Sequence, residues 1–328
     1  MQQTIMSNLV LYSDVQAAPI RWLWYPYIAL GKITLLQGDP GDGKSTLMMH
    51  LIAELSKGGE LPDGTSFDKP RRVIYQCSED SAADTIKPRL SECGADCHNV
   101  AFINEKVSEG LTLDDERIRQ AIIDFRPYLV VIDPIQAYVE NDADLQIAAR
   151  ARKLMRRLGM WAEVYNCAVV LIGHLNKRES SKGLYRSLGS IDVVAAARSV
   201  LQVERDVEDR AVRCVRQIKN SLAAEGNDFY FEIRPESGFQ WIFGMAPANV
   251  SDARKDDMEL RLPKSKHEMA ALLIKDALKD GDVESKVMKK ILSEYGIGEK
   301  TMQETKEELG IHSYRKMRRW YWSMQQAE

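Results

Sequence analysis

Ile33-Thr34-Leu35-Leu36-Gln37-Gly38-Asp39-Pro40-Gly41-Asp42-Gly43-Lys44-Ser45-Thr46-Leu47 is the stretch on which the reading of this chain turns. An apolar run from Ile33 to Gln37 reads as a strand. It breaks at Gly38 into a glycine-rich turn and resumes at helical spacing through Leu47, Met48, Leu51, Ile52 and Leu55. This is G-x4-G-K-S in its required setting of strand, loop and helix. The glycines let backbone N–H groups turn inward around a triphosphate, and the helix N-terminus adds the positive end of its dipole. On this reading Gly38, Asp39, Pro40, Gly41, Asp42, Gly43, Lys44, Ser45 and Thr46 hold ATP, Lys44 reaches the β- and γ-phosphates, and Ser45 holds Mg2+ through its hydroxyl. The alternative is an ordinary glycine-rich turn ahead of a helix.

Downstream, Arg72 to Cys77 reads as a short strand followed at once by Ser78-Glu79-Asp80. Ser78 suits a helix N-cap and the two acids its first turn. If this strand neighbours the P-loop strand, however, its carboxyl end opens into the same crevice, and Glu79 becomes the base that orients an attacking water. Tyr128-Leu-Val-Val-Ile-Asp133-Pro is a continuous apolar run closed by an acid. Such runs suit parallel strands buried on both faces. Asp133 at the tip then has the Walker B role of holding Mg2+, with helix capping as its alternative. Ala168 to Gly173 is another buried strand, ending in His174-Leu-Asn176. His174 there would lie beside the γ-phosphate and report hydrolysis, although a lone histidine is more often structural.

The remaining segments are read more briefly. The aromatics of Ile20 to Gly31 form a lid on the core edge, in preference to stacking on adenine. Helices are expected over Ala82 to Cys93, Leu113 to Phe125 and Asp144 to Tyr165, with a strand over Val100 to Asn104. The basic face of the third helix (Arg150, Arg152, Lys153, Arg156, Arg157) reads as solvated or subunit-facing. Lys177 to Tyr185 is polar and basic, and suits either a connector or a loop touching nucleic-acid phosphates. Four strands, Ser199 to Glu204, Arg213 to Lys219, Phe229 to Arg234 and Gln240 to Phe243, extend the mostly parallel sheet in antiparallel fashion. The domains are expected as an N-terminal segment (1–19), an ATPase core (20–245), a polar Pro-bearing linker (246–265) and a small C-terminal domain (266–328).

In that last domain three short helices are expected, Glu268 to Leu278, Ser285 to Tyr295 and Glu299 to Leu309, with a glycine turn between the last two: a helix-turn-helix. Tyr314-Arg-Lys-Met-Arg-Arg-Trp-Tyr-Trp322 interleaves cations with aromatics and suits a hairpin or wing against a nucleic-acid backbone. The third helix, with Glu299, Glu304, Glu307 and Glu308 against Lys300 and Lys306, would be repelled from a groove. Any DNA contact is therefore expected through Arg315 to Arg319.

With 328 residues and 45% hydrophobic content the chain has ample material for a core, and a net charge of −3 excludes a globally basic nucleic-acid binder. Five scattered cysteines do not form a disulfide framework and fit a reducing cytoplasm. Cys93, Cys97 and His98 lack a fourth ligand at zinc spacing. No apolar run approaches the ~20 residues that span a bilayer, and the first residues lack a leader's basic and apolar regions, so neither membrane nor export is expected.

The order of P-loop, acidic strand tip at Glu79, Leu-Val-Val-Ile-Asp133, Gly173-His174-Leu-Asn176 and Ala195-Ala-Ala-Arg198 resembles the RecA-type ring ATPases, and most closely their RepA-like replicative helicase branch on plasmids, phages and mobile elements. The resemblance covers roughly residues 20 to 244. It implies a RecA-like P-loop fold in a homo-oligomeric ring, expected to be a hexamer, with Glu79 activating water and Arg198 acting as an arginine finger on the neighbour's nucleotide. The related DnaB branch carries Lys-x-Arg on a late strand. Here Lys219-Asn-Ser221 keeps the lysine and has serine where arginine is expected, which puts Lys219 as a second trans-acting cation in question. The C-terminal domain is similar to winged helix-turn-helix appendages of mobile-element members but lacks the usual wing glycine. The expected function is an ATP-hydrolysing motor on DNA, a helicase in replication of a mobile element, contacting single strands through Lys177 to Tyr185. Two rivals stand beside it: a RecA-type loader, recombination mediator or regulator without processive unwinding, and a small-molecule kinase on a P-loop fold.

Overall fold

The computed structural model describes residues 10–105, 110–139, 148–174, 191–242, 266–278, 281–294, 297–316 and 319–324. Lys177 to Tyr185, Asn176 and the expected linker 246–265 lie outside these residues.

Two short strands, β1 (Trp22–Trp24) and β2 (Ile28–Ala29), pair antiparallel ahead of the main sheet. That sheet is built from β3 (Ile33–Gly38), β4 (Val73–Cys77), β5 (Val100–Ala101), β6 (Leu129–Asp133), β7 (Ala168–His174), β8 (Ser199–Arg205), β9 (Val212–Asn220), β10 (Phe229–Arg234) and β11 (Gly238–Ile242). Its order is β11-β10-β9-β8-β3-β7-β6-β4-β5. The strands from β8 to β5 run parallel, and β9, β10 and β11 continue antiparallel. This is a mixed α/β fold with a large, mostly parallel sheet and a RecA-like P-loop core.

Side-chain alternation along the strands separates two cores. Leu129, Val131, Val170, Ile172, Leu201 and Val203 face one side; Val130, Ile132, Val169, Leu171 and Val200 face the other. Because each central strand is covered on both sides, it reads as an unbroken apolar run. Helix α1 (Lys44–Lys57) and α2 (Lys87–Glu92) cover the first face; α3 (Glu116–Phe125), α4 (Ala148–Tyr165) and α5 (Ile191–Ala196) cover the second. On α4 the buried stripe is Ala151, Met155, Leu158 and Ala162, at helical spacing. Arg157 of its basic face pairs with Glu116 on α3 and lies over the Trp161 ring.

Several boundaries differ from expectation for local reasons. The strand expected over Val100 to Asn104 ends at Ala101, because the Ile103 N–H donates to the Gln76 side chain (2.8 Å) instead of a ladder carbonyl. Helix α3 starts three residues late: Asp115 accepts from the Arg117 N–H (2.8 Å) and caps it, while the Leu113 N–H is held by the Tyr138 carbonyl. The helix expected over Ala82 to Cys93 is a π-helical turn, Ala82–Ile86, running into α2, where Pro88 removes a donor. The conditional placement of the Arg72-to-Cys77 strand beside the P-loop strand is corrected: β7 and β6 stand between β4 and β3. The fully buried β6 and the almost fully buried β7 take the central places.

The aromatic segment is a lid on the first core. Trp24 is buried, stacks near Tyr27 and Phe229, and donates its indole N–H to Asp63 (2.8 Å). The Tyr27 hydroxyl donates to the Asn227 carbonyl (2.7 Å), and the Pro26 carbonyl accepts from Gln217 and Asn220 on β9. Trp24→Ala is expected to destabilise the core by about 3–5 kcal/mol, read as a lower urea midpoint. A midpoint unchanged from the parent would remove the lid from the stability of the core.

Residues 266–324 build a separate buried cluster. Helices α6 (Lys266–Leu278), α7 (Ser285–Glu294) and α8 (Glu299–Glu308) share it with a sheet of order β12-β14-β13, made of Val283–Glu284, Arg319–Ser323 and His312–Lys316. The basic-aromatic tail is therefore a hairpin. Trp322 seals this core at 4% exposure, while Arg315 and Lys316 face solvent and Arg319 pairs with Glu284 (2.9 Å).

Candidate nucleotide-binding site

The parallel strands deliver their carboxyl ends to one edge of the sheet, and the candidate residues collect there. Strand β3 ends at Gly38, where β8 passes so close that a Cβ would stand 2.6 Å from the Val203 carbonyl oxygen. Gly43, at φ +89°, caps α1 in the left-handed region that L side chains avoid. Asp42 braces the turn from within: its Oδ2 accepts the Asp39 N–H (2.8 Å), and its Oδ1 pairs with Nε of Arg205 at the end of β8 (3.2 Å). The Arg205 guanidinium also donates to the Gly41 carbonyl. Burial raises the Asp42 pKa, opposed by the Asp39 N–H, Lys44 and Arg205.

Lys44 is 3% exposed and curls over the loop, donating from Nζ to the Gly38 and Asp39 carbonyls at 2.8 Å each. Burial lowers its pKa, and Asp42, Asp133, Asp39 and Glu79 pull it back up. Asp133 ends β6 in register with Cys77 of β4, and His174 ends β7 in register with Gly38. Asp133 is 4% exposed, and its Oδ2 accepts from the Tyr75 hydroxyl at 2.7 Å. The Ser45 side chain lies near the Tyr75 hydroxyl. Glu79, just past β4, lies with Oε1 3.9 Å from Nε2 of His174. Burial, and then the nearby Lys44 ammonium, hold the His174 pKa below its ordinary value, against Glu79 and Asp133. Two buried atoms at this edge, Nδ1 of His174 and Oε1 of Gln136, have no protein partner among the described residues, although the Gln136 amide donates to the His174 carbonyl (3.3 Å).

Lys44, Ser45, Asp133, Glu79 and His174 are thus brought together. Arg198 and Lys219 are not. Arg198 precedes β8, at the opposite edge of the sheet, and is exposed. It lies five residues before Val203, the partner of Gly38, or about 16 Å along the strand. Lys219 has a job within its own chain: Nζ donates to the Val194, Ala195 and Ala197 carbonyls at 2.9, 2.8 and 2.7 Å, capping α5. Burial lowers its pKa to about 8.

The donor set fits Mg·ATP. Hard oxygens from Ser45 and Asp133 suit Mg2+, which is ordinarily held by one or two carboxylates together with substrate phosphates. Among the described residues no cluster of three or more His, Cys, Asp or Glu side chains could hold a metal by itself. Loop N–H groups and Lys44 suit a polyphosphate. The sequence reading missed Tyr75, Arg205 and Gln136. A hint was present for Tyr75, since a tyrosine hydroxyl in a buried strand needs a partner.

Comparison with known proteins agrees with this geometry. Over 232 residues the chain is 28% identical to the DNA repair protein RadA of Halalkalibacterium halodurans, covering 70% of the chain and 44% of that protein. Identity is 28% over 201 residues to RadA of Mycobacterium tuberculosis H37Rv, covering 60% and 36% respectively. It is 27% over 211 residues to RadA of Bacillus subtilis, covering 64% and 40%. The chain thus spans less than half the length of these relatives. Among the described residues no helix is long and apolar enough to cross a membrane. A family model described as AAA domain matches residues 5–180, more than half of the chain, and with its RecA-type sheet and P-loop the chain belongs to that family of P-loop ATPases.

Proposed function

We propose that this chain is a Mg2+-dependent ATPase acting on DNA as a homo-oligomeric ring, a RepA-like helicase serving replication of a mobile element. The observation that carries the reading is the division of charged groups between the two edges of the sheet. Lys44, Ser45, Asp133, Glu79 and His174 meet at one edge, while Arg198 stands exposed at the other, out of reach of its own P-loop. An arginine so placed serves a nucleotide only in a neighbouring subunit, so a complete site needs two chains.

In this reading the P-loop N–H groups and Lys44 hold the β- and γ-phosphates. Ser45 and Asp133 would hold Mg2+, which would supply neutralisation of charge on the phosphoryl oxygens. Glu79 accepts the proton of the attacking water, and the neutral His174 imidazole beside it senses loss of the γ-phosphate. The DNA repair role in the names of the relatives supports DNA as the partner. Single-strand contact is assigned to Lys177 to Tyr185, with the winged C-terminal domain offering Arg315 and Lys316.

The second reading, a RecA-type loader, mediator or regulator without processive unwinding, is favoured by Ser221 in place of arginine and by Lys219 being occupied on α5. Unwinding of a forked duplex by the pure protein separates the two: strand separation supports the helicase, and DNA-stimulated turnover without it supports the second reading. The shared site is tested by mixing. Arg198→Ala and Glu79→Gln chains, each nearly inactive alone, are expected to regain turnover when combined, because some interfaces then pair an intact Arg198 with an intact Glu79. No recovery would place Arg198 outside the reaction.

A further inference from the structure

Tyr75 is a buried residue at this edge to which the reading above gives no role, and the inference rests on the reading that Asp133 and Ser45 hold Mg2+. Its side chain projects from β4, two places from β7 and three from the P-loop strand, and is 3% exposed. The hydroxyl donates to Oδ2 of Asp133 at 2.7 Å, and the Ser45 side chain lies near it. One phenol thus holds, across 58 residues of sequence, the carboxylate expected to meet the ion, close to the Ser45 hydroxyl expected to meet the same ion.

The consequences for a hard cation are geometric. A carboxylate at a strand tip rotates about its terminal torsion, which is broad and roughly two-fold. With Oδ2 engaged by a fixed donor, Oδ1 is left free for the ion or for a water bound to it. A phenol is protonated at neutral pH, so the hydroxyl remains a donor there. Mg2+ demands near-ideal octahedral geometry, so an unfixed ligand weakens it more than it would weaken a larger ion. Partners of metal ligands typically contribute 10–100-fold in metal affinity.

We propose that Tyr75 is a positioning residue for the catalytic Mg2+, orienting Asp133 through its hydroxyl. The test uses the full chain with ADP and Mn2+ as the probe, the free and bound ion being read by electron paramagnetic resonance. Tyr75→Phe is expected to weaken Mn2+ binding to the ADP complex about 10–100-fold, with ADP affinity in EDTA unchanged. Asp133→Asn weakens Mn2+ as well, and adding Tyr75→Phe to it produces no further loss, because the phenol acts through that carboxylate. Mn2+ affinity within twofold of the parent in Tyr75→Phe, while Asp133→Asn weakens it, overturns the proposal alone. An unchanged affinity in both variants overturns the assignment of Asp133 as well. A lower unfolding midpoint with Mn2+ affinity intact would mark a merely structural tyrosine and also overturn it. Where Tyr75→Phe does not fold, 3-fluorotyrosine at position 75 keeps the hydroxyl. Its 19F resonance is expected to move when Mg2+ joins the ADP complex, and a resonance that stays in place overturns the proposal.

Discussion

In Lys44→Ala the dissociation constant for ATP rises about 100- to 1000-fold, and steady-state turnover falls below detection at ordinary ATP concentrations. Lys44 carries a buried ammonium whose hydrogens now rest on the Gly38 and Asp39 carbonyls. In the nucleotide complex the same donors turn to phosphate oxygens. Two charge-assisted bonds near the lower end of about 1.5–3 kcal/mol each, about 3–4 kcal/mol together, account for a loss of that size. The fold survives, since the substitution removes a desolvated charge as well as its two acceptor contacts. Equilibrium titration with a fluorescent ATP analogue, alongside thermal unfolding, measures both. An affinity within threefold of the parent would mean that Gly38 to Ser45 is a turn before a helix and nothing more.

Glu79→Gln separates binding from chemistry. The amide keeps the size of the side chain and loses only its capacity to accept a proton, so ATP affinity is expected to stay within about threefold while turnover falls about 100- to 10,000-fold. Its place beside His174 and its influence on Lys44 put it at the phosphate end of the site. Asp80, the adjacent acid, is paired with Arg89 (3.0 Å) and is a poorer candidate. Single-turnover hydrolysis with saturating enzyme reads the chemical step directly. Parental rates in Glu79→Gln would assign the base elsewhere.

The P-loop and Asp133 were legible in the sequence because what they require is local: a strand, glycines at fixed offsets, a helix, an apolar run with an acid at its end. Phe229–Arg234 was also legible to the residue, its flanks carrying turn formers. The order of strands was not, because β4 and β3 are successive in sequence while their separation by β6 and β7 is decided by the packing of the helices between them. Contacts made by side chains far apart in sequence escaped for the same reason. The Tyr75–Asp133 bond spans 58 residues, and the Arg205 hold on Asp42 spans 163. Lys219 shows the limit from the other direction: a family position named it as a trans-acting cation, and the fold directs all its hydrogen bonds to the end of α5. The tail was legible as a basic-aromatic hairpin, but not which of its side chains are buried. In the hairpin Trp322 is buried in the small core, while Arg315 and Lys316 are exposed.

The most direct measurement is ATP turnover per chain across protein concentration, with and without single-stranded DNA. On the proposed reading, in which Arg198 serves a neighbour's nucleotide, turnover per chain should rise steeply as subunits assemble, and DNA should raise the plateau or shift assembly to lower concentration. A turnover per chain that is constant on dilution to monomer and indifferent to DNA would contradict both the shared site and the motor.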